Sequence, residues 1–116
     1  MVQVTMQVSE ELARRILPIR RWMPTILELS LAHFRTPASA TAAEFIEFLL
    51  HGPSDQAVLQ YHVSDRAQAR LQRLLTLNQA GLLAEIEQLE LDELQQIEHF
   101  VIMLKAQLAS SQIQSA

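Results

Sequence analysis

The sequence predicts a mainly α protein. One N-terminal β-strand is paired across a homodimer, and five or six helices follow, ending in a long antiparallel helical hairpin. Three observations predict this. Residues 2–8 alternate strictly between apolar and polar, the period of a half-buried strand. Nearly everything after Ser9 repeats its apolar residues three and four apart, the period of a helix with one face inward. Proline, glycine and serine stand at the breaks between these runs, where helix ends need them.

In the first segment Val2, Val4, Met6 and Val8 face one way and Gln3, Thr5 and Gln7 the other. A lone strand cannot satisfy its own backbone groups. Its simplest partner is the same strand of a second copy, antiparallel across a two-fold axis. Ser9 then reads as a helix N-cap, with Glu10 and Glu11 in the first turn, where the helix dipole favours acids. Leu12, Ile16 and Ile19 continue at helical spacing until Pro18 ends or bends the run, because proline has no amide hydrogen to give. Pro24 suits the start of another helix, running to about Phe34 with Ile26, Leu27, Leu31 and Phe34 on one stripe.

Residues 35–41 read as a loop, with Thr41 capping a short helix from Ala42 to Leu50 whose face is Phe45, Phe48 and Leu49. His51-Gly52-Pro53 stops it, and Ser54 opens a short helix ending near His62. Ser64-Asp65 caps the next helix, to about Asn78, with Ala67, Leu71, Leu74 and Leu75 inward and Arg66, Arg70 and Arg73 on its surface. Gly81 ends it in the C′ position. The last helix spans about Ala84 to Ala109, with Ile86, Leu89, Leu94, Ile97, Val101, Leu104 and Leu108 as its buried stripe. Residues 64–109 therefore form a helical hairpin, and residues 110–116 a frayed tail. All 116 residues make one domain: a strand-helix-helix part (1–35), short helices (36–63), the hairpin (64–109) and the tail.

Composition narrows the function. With no cysteine, disulfides and thiolate metal sites are excluded and a reducing cytoplasm is the natural compartment. No apolar run approaches the roughly 18 residues needed to span a bilayer, and MVQVTMQVSEE has neither the basic start nor the apolar stretch of a signal or transit peptide. Net charge is −4, unlike a generic nucleic-acid coat. The charge is split, however. Residues 1–35 carry Arg14, Arg15, Arg20, Arg21 and Arg35, whereas residues 80–109 carry six acids against Lys105 alone. Two faces with different jobs follow from that asymmetry.

Nothing converges on catalysis. Metal sites on helices place ligands three or four residues apart. His33, His51, His62 and His99 form no such pair, so they read as helix-end or hydrogen-bonding side chains. Glu85, Glu87, Glu90, Asp92, Glu93 and Glu98 are distributed around one helix, which describes a solvated face with some pairing to Arg66, Arg70 and Arg73. Gly52 and Gly81 are the two glycines of the chain, too few for a phosphate loop. No cofactor is called for. Trp22, beside Arg20 and Arg21, reads as a core or interface anchor. The run Phe100-Val101-Ile102-Met103-Leu104 makes the last helix apolar nearly all round there, so it should be covered on more than one side.

Two resemblances add to this. The strand QVTMQV, then SEELARRI, then PTILELSLAHF resembles the ribbon-helix-helix family of DNA-binding dimers and antitoxins. That likeness implies paired strands in a major groove, with Gln3, Thr5 and Gln7 reading bases. It also implies that Arg14 and Arg15 supply electrostatic hold and that the helix start near Pro24 and Thr25 holds a phosphate. The pattern departs from the family at Pro18 and in a strand without Arg or Lys. The segment SDRAQARLQRLLTLNQAGLLAEIEQLELDELQQIEHFVIMLKAQLA is similar to small cyanobacterial proteins of unassigned function that join such a hairpin to a strand-helix start. Two expectations stay open: a homodimer that binds DNA, or a protein adaptor without a nucleic-acid role. In the first, the acidic C-terminal helix engages a protein partner. In either, Val4, Met6, Val8, Trp22, Phe100 and Met103 form the dimer or partner interface.

Overall fold

The computed structural model describes the backbone of residues 2–115 and the side chains of residues 2–111. Among the described residues it contains six α-helices and no strand. They are α1 (Glu10–Ile16), α2 (Met23–Leu31), α3 (Ala38–Leu50), α4 (Asp55–Leu59), α5 (Asp65–Gln79) and α6 (Glu85–Ser115). A single 3₁₀ turn, Leu17–Ile19, separates α1 from α2.

Three helices begin the same way. Ser9, Ser54 and Ser64 sit at the N-caps of α1, α4 and α5, and each hydroxyl accepts the amide three residues on, from Leu12, Ala57 and Ala67. An acid follows each serine, where the positive end of the helix dipole favours it. The stops are equally local. Pro18 ends α1 by setting the 3₁₀ turn. Gly81, at φ 71°, ends α5. There Leu82 N–H reaches Leu77 C=O at 2.9 Å and Gly81 N–H reaches Asn78 C=O at 3.0 Å, the paired bonds of a Schellman motif.

Alpha-6 is the spine. Its second half packs Val101, Leu104 and Leu108 into a core with Ile19, Trp22, Ile26, Leu29, Phe45, Leu49 and Val58. Its first half packs Leu91, Leu94 and Ile97 into a second core with Ala38, Ala42, Val63, Ala67 and Leu74. Phe34 touches both. Tyr61 stacks on Phe45 and Phe48, with ring centroids 4.9 and 4.5 Å away. Burial pushes its hydroxyl up from the ordinary value, helped by the charges of Glu44 and Glu98. The α5–α6 hairpin is present, closed by the short link 80–84.

Several expectations are corrected. Residues 2–8 form no strand within the chain and make no hydrogen bond to it. Strand geometry needs a hydrogen-bonded neighbour, and among the described residues none bonds to them. Alpha-2 stops at Leu31 rather than near Phe34, and His33 reverses the chain at φ 54°. Its inward face is Trp22, Ile26 and Leu29, leaving Leu27 and Leu31 exposed, because the buried indole sets the helix phase. Trp22 is accordingly a core residue, not a partner anchor. Its indole N–H donates to Pro53 C=O at 3.3 Å. Alpha-3 begins at Ala38, not Ala42. Thr36, not Thr41, bonds the first amide, that of Ala38, and Thr41 is buried inside the helix.

The last helix differs most. It continues through residues 110–115, which were expected to fray, while Ala116 lies outside the described residues. Ile86 is exposed and Leu91 is buried in its place. Of the apolar run at 100–104, Val101 and Leu104 point inward and Phe100 packs beside them, whereas Ile102 and Met103 are exposed. The acids do not share one solvated face, since Glu90 and Glu93 are buried. No described helix is long and apolar enough to cross a membrane.

Candidate functional site

Two regions of the molecule stand out as candidate sites. The first is an N-terminal arm. Val2, Val4, Met6 and Val8 are 92, 79, 64 and 39 % exposed. Helix α1, which follows, buries no residue fully, and Leu12 and Leu17 are also exposed. A run of apolar side chains this open is uncommon on a monomer surface.

The polar residues of the arm are equally accessible. Gln3, Thr5 and Gln7 are exposed, as are Arg14 and Arg15. No hydrogen bond or ion pair joins any of them to Thr25, which is half-buried in the first turn of α2. Of the first amides of α2, that of Met23 already donates to Arg20 C=O at 3.4 Å, and Pro24 has none. Thr25 N–H is thus left as a poor remnant of the phosphate cradle that the family likeness implies. Beyond the arm, Arg21 pairs with Asp55, and its guanidinium lies 4.9 Å from the Trp22 ring centre. Hydrogen bonding to Arg21 holds the Asp55 carboxyl below its ordinary range.

The second region is a cleft of about 510 Å³ between α3 and α5, floored by α6. It exists because both walls carry small side chains in their first turns, including Ala38, Ala40 and Thr41 on α3 and Ala67 and Ala69 on α5. Glu44 on one wall faces the row Arg66, Arg70, Arg73 on the other. Arg70 is committed. Its Nε and Nη2 donate to the two oxygens of Glu90 at 2.8 and 2.9 Å. This fork-to-fork geometry is the strong form of the pair. It lowers the Glu90 carboxyl against the opposing effect of burial.

One turn further along α6, Glu93 organises the entrance to α3. Its Oε1 accepts the Thr36 hydroxyl at 2.6 Å and the Thr36 amide at 3.0 Å, and its Oε2 accepts the Arg35 amide at 2.8 Å. Burial alone would raise this carboxyl. The bonds from Thr36 and Arg35, with the charge of Arg35, outweigh it and leave the carboxyl below its ordinary range. Sequence reasoning anticipated pairing between the hairpin's acids and arginines but missed Glu93 and Thr36. They are 57 residues apart, and no local pattern marks such a bond.

Comparison of the chain with protein-family models, with curated proteins and with solved structures finds no match in any of the three. Function therefore has to be argued from these two regions. Among the described residues no three His, Asp or Glu side chains gather as metal ligands would. His51 Nδ1 bonds the Glu47 carbonyl at 2.7 Å at the end of α3, and His62 Nδ1 lies 3.1 Å from both Val63 C=O and the Gln68 amide. Both are structural contacts.

Proposed function

We propose that the protein is a non-catalytic, cytoplasmic homodimer that binds other macromolecules, assembled through its N-terminal arm. The observation that carries this reading is the exposure of Val2, Val4, Met6 and Val8 in a segment with no hydrogen bonds to the other described residues. Pairing two such arms satisfies both backbones and removes the apolar side chains from water. Each fully buried Val or Met side chain contributes about 1.5–3 kcal/mol, part of which offsets the entropy of ordering the arm. Light scattering tests it. The full chain is expected at dimer mass and the chain lacking residues 1–8 at monomer mass. Equal dimeric masses for the two would remove the arm as the contact.

As an assembly partner for proteins, the dimer presents the exposed Ile102 and Met103 and the exposed acids Glu85 and Asp92 of α6. A DNA-binding form rests on a separate observation. Gln3, Thr5 and Gln7 alternate with the apolar residues and are exposed, and Arg14 and Arg15 are exposed without ion pairs among the described residues. Glu10 and Glu11 on the same helix and the net charge of −4 weigh against it. Binding to promoter DNA should then weaken steeply with salt and fall in a Gln3→Ala/Thr5→Ala variant. No retention at low salt would end this form and leave the adaptor.

A further inference from the structure

We infer that the cleft between α3 and α5 is a docking site for an acidic helical segment of a partner protein. Arg66 and Arg73 stand seven residues apart on α5, about 10.5 Å along its axis. Neither makes an ion pair or hydrogen bond among the described residues. Arg70 between them is held on Glu90, so the row has a fixed centre and an unengaged cation at each end. One small anion cannot serve both ends. Two carboxylates seven residues apart on a helix have the same spacing and meet both.

The other wall selects the ligand further. Thr41 is 8 % exposed, lines the cleft and has no hydrogen-bond partner. Its hydroxyl opens onto the cleft, where it can bond a ligand atom. Glu44, which lines the cleft and makes no ion pair among the described residues, repels a continuous phosphate backbone but accepts a lysine or arginine carried by the same peptide. The alanines beside it let a helix backbone approach closely. The charge of Glu87 acts on Arg70, at the centre of the row, and Asp65 precedes Arg66 in the first turn of α5 without an ion pair to it. This site is separate from the arm and does not depend on its role.

Fluorescence anisotropy on the full chain tests the inference. The probe is a dye-labelled alanine-rich peptide of about 18 residues, long enough to be helical, with two glutamates seven positions apart and one lysine on the adjoining face. Saturable binding is expected. It should weaken at least about ten-fold in Arg66→Ala/Arg73→Ala, with an unchanged circular dichroism spectrum, and remain unaltered in Arg14→Ala/Arg15→Ala. Equal binding of the glutamine version of the peptide, or undiminished binding by the double variant, overturns it. So does displacement by millimolar pyrophosphate or tighter binding of a single-stranded oligonucleotide, either of which would assign the cleft to phosphates.

Discussion

Glu93 on α6 accepts the hydroxyl of Thr36, at the entrance to α3, over 2.6 Å. The same carboxylate takes the amides of Thr36 and Arg35, so one side chain on the spine fixes the turn from which α3 leaves and one wall of the cleft begins. Hydrogen bonds to a charged group each contribute about 1.5–3 kcal/mol when partners are left unsatisfied by truncation. Glu93→Ala, which removes three such bonds, should therefore cost about 4.5 kcal/mol in urea unfolding. Thr36→Val keeps both amides but removes the donor to Glu93 and the acceptor of the Ala38 amide, and should cost about 2 kcal/mol. Equal losses would mean that the turn is held by packing and not by the carboxylate.

Stability should also depend on these acids through pH. Glu90 and Glu93 both titrate below the ordinary value of 4.5 in the folded chain. Below that value the unfolded chain binds more protons than the folded one, so folding stability rises with pH in that window. The contribution is fully present above about pH 4.5 and is lost as pH falls through the depressed folded values. Urea midpoints measured from pH 6 down to 3 should decline in the wild type. The decline should be shallower in Glu93→Gln, which cannot titrate there.

Two apolar residues of α6 separate the periodic pattern from the packing. Leu91 is 2 % exposed, whereas Ile86 lies mostly in solvent. Leu91→Ala should cost about 2–5 kcal/mol through lost burial and the cavity left behind. Ile86→Ala should stay within about 0.5 kcal/mol. Thermal melts of the two variants distinguish them directly.

At Gly81 an added Cβ would meet nothing within 4 Å, yet the residue holds φ at +71°. Gly81→Ala should therefore destabilise by about 1 kcal/mol through backbone strain alone. Gly81→Asn should cost less, since asparagine tolerates the left-handed region. Chemical denaturation of both variants checks the order.

Ser9, Ser54, Ser64, Pro18, Gly52 and Gly81 mark helix ends through bonds or dihedral limits that act within a few residues. The sequence by itself therefore determined the helical class, the break at Pro18, three caps and the α5–α6 hairpin. The row Arg66, Arg70, Arg73 was legible for the same reason, and of its expected pairings to the hairpin's acids the one to Arg70, from Glu90, is present. Tertiary structure decided the remainder. Trp22 turned α2 by entering the core, Thr36 took the capping role from Thr41 through a bond to Glu93, and α6 exchanged Ile86 for Leu91 as its inward residue. These outcomes depend on which long-range neighbour arrives at each face. A helix with apolar residues on several sides leaves that choice open, and only packing against α2, α3, α4 and α5 closes it.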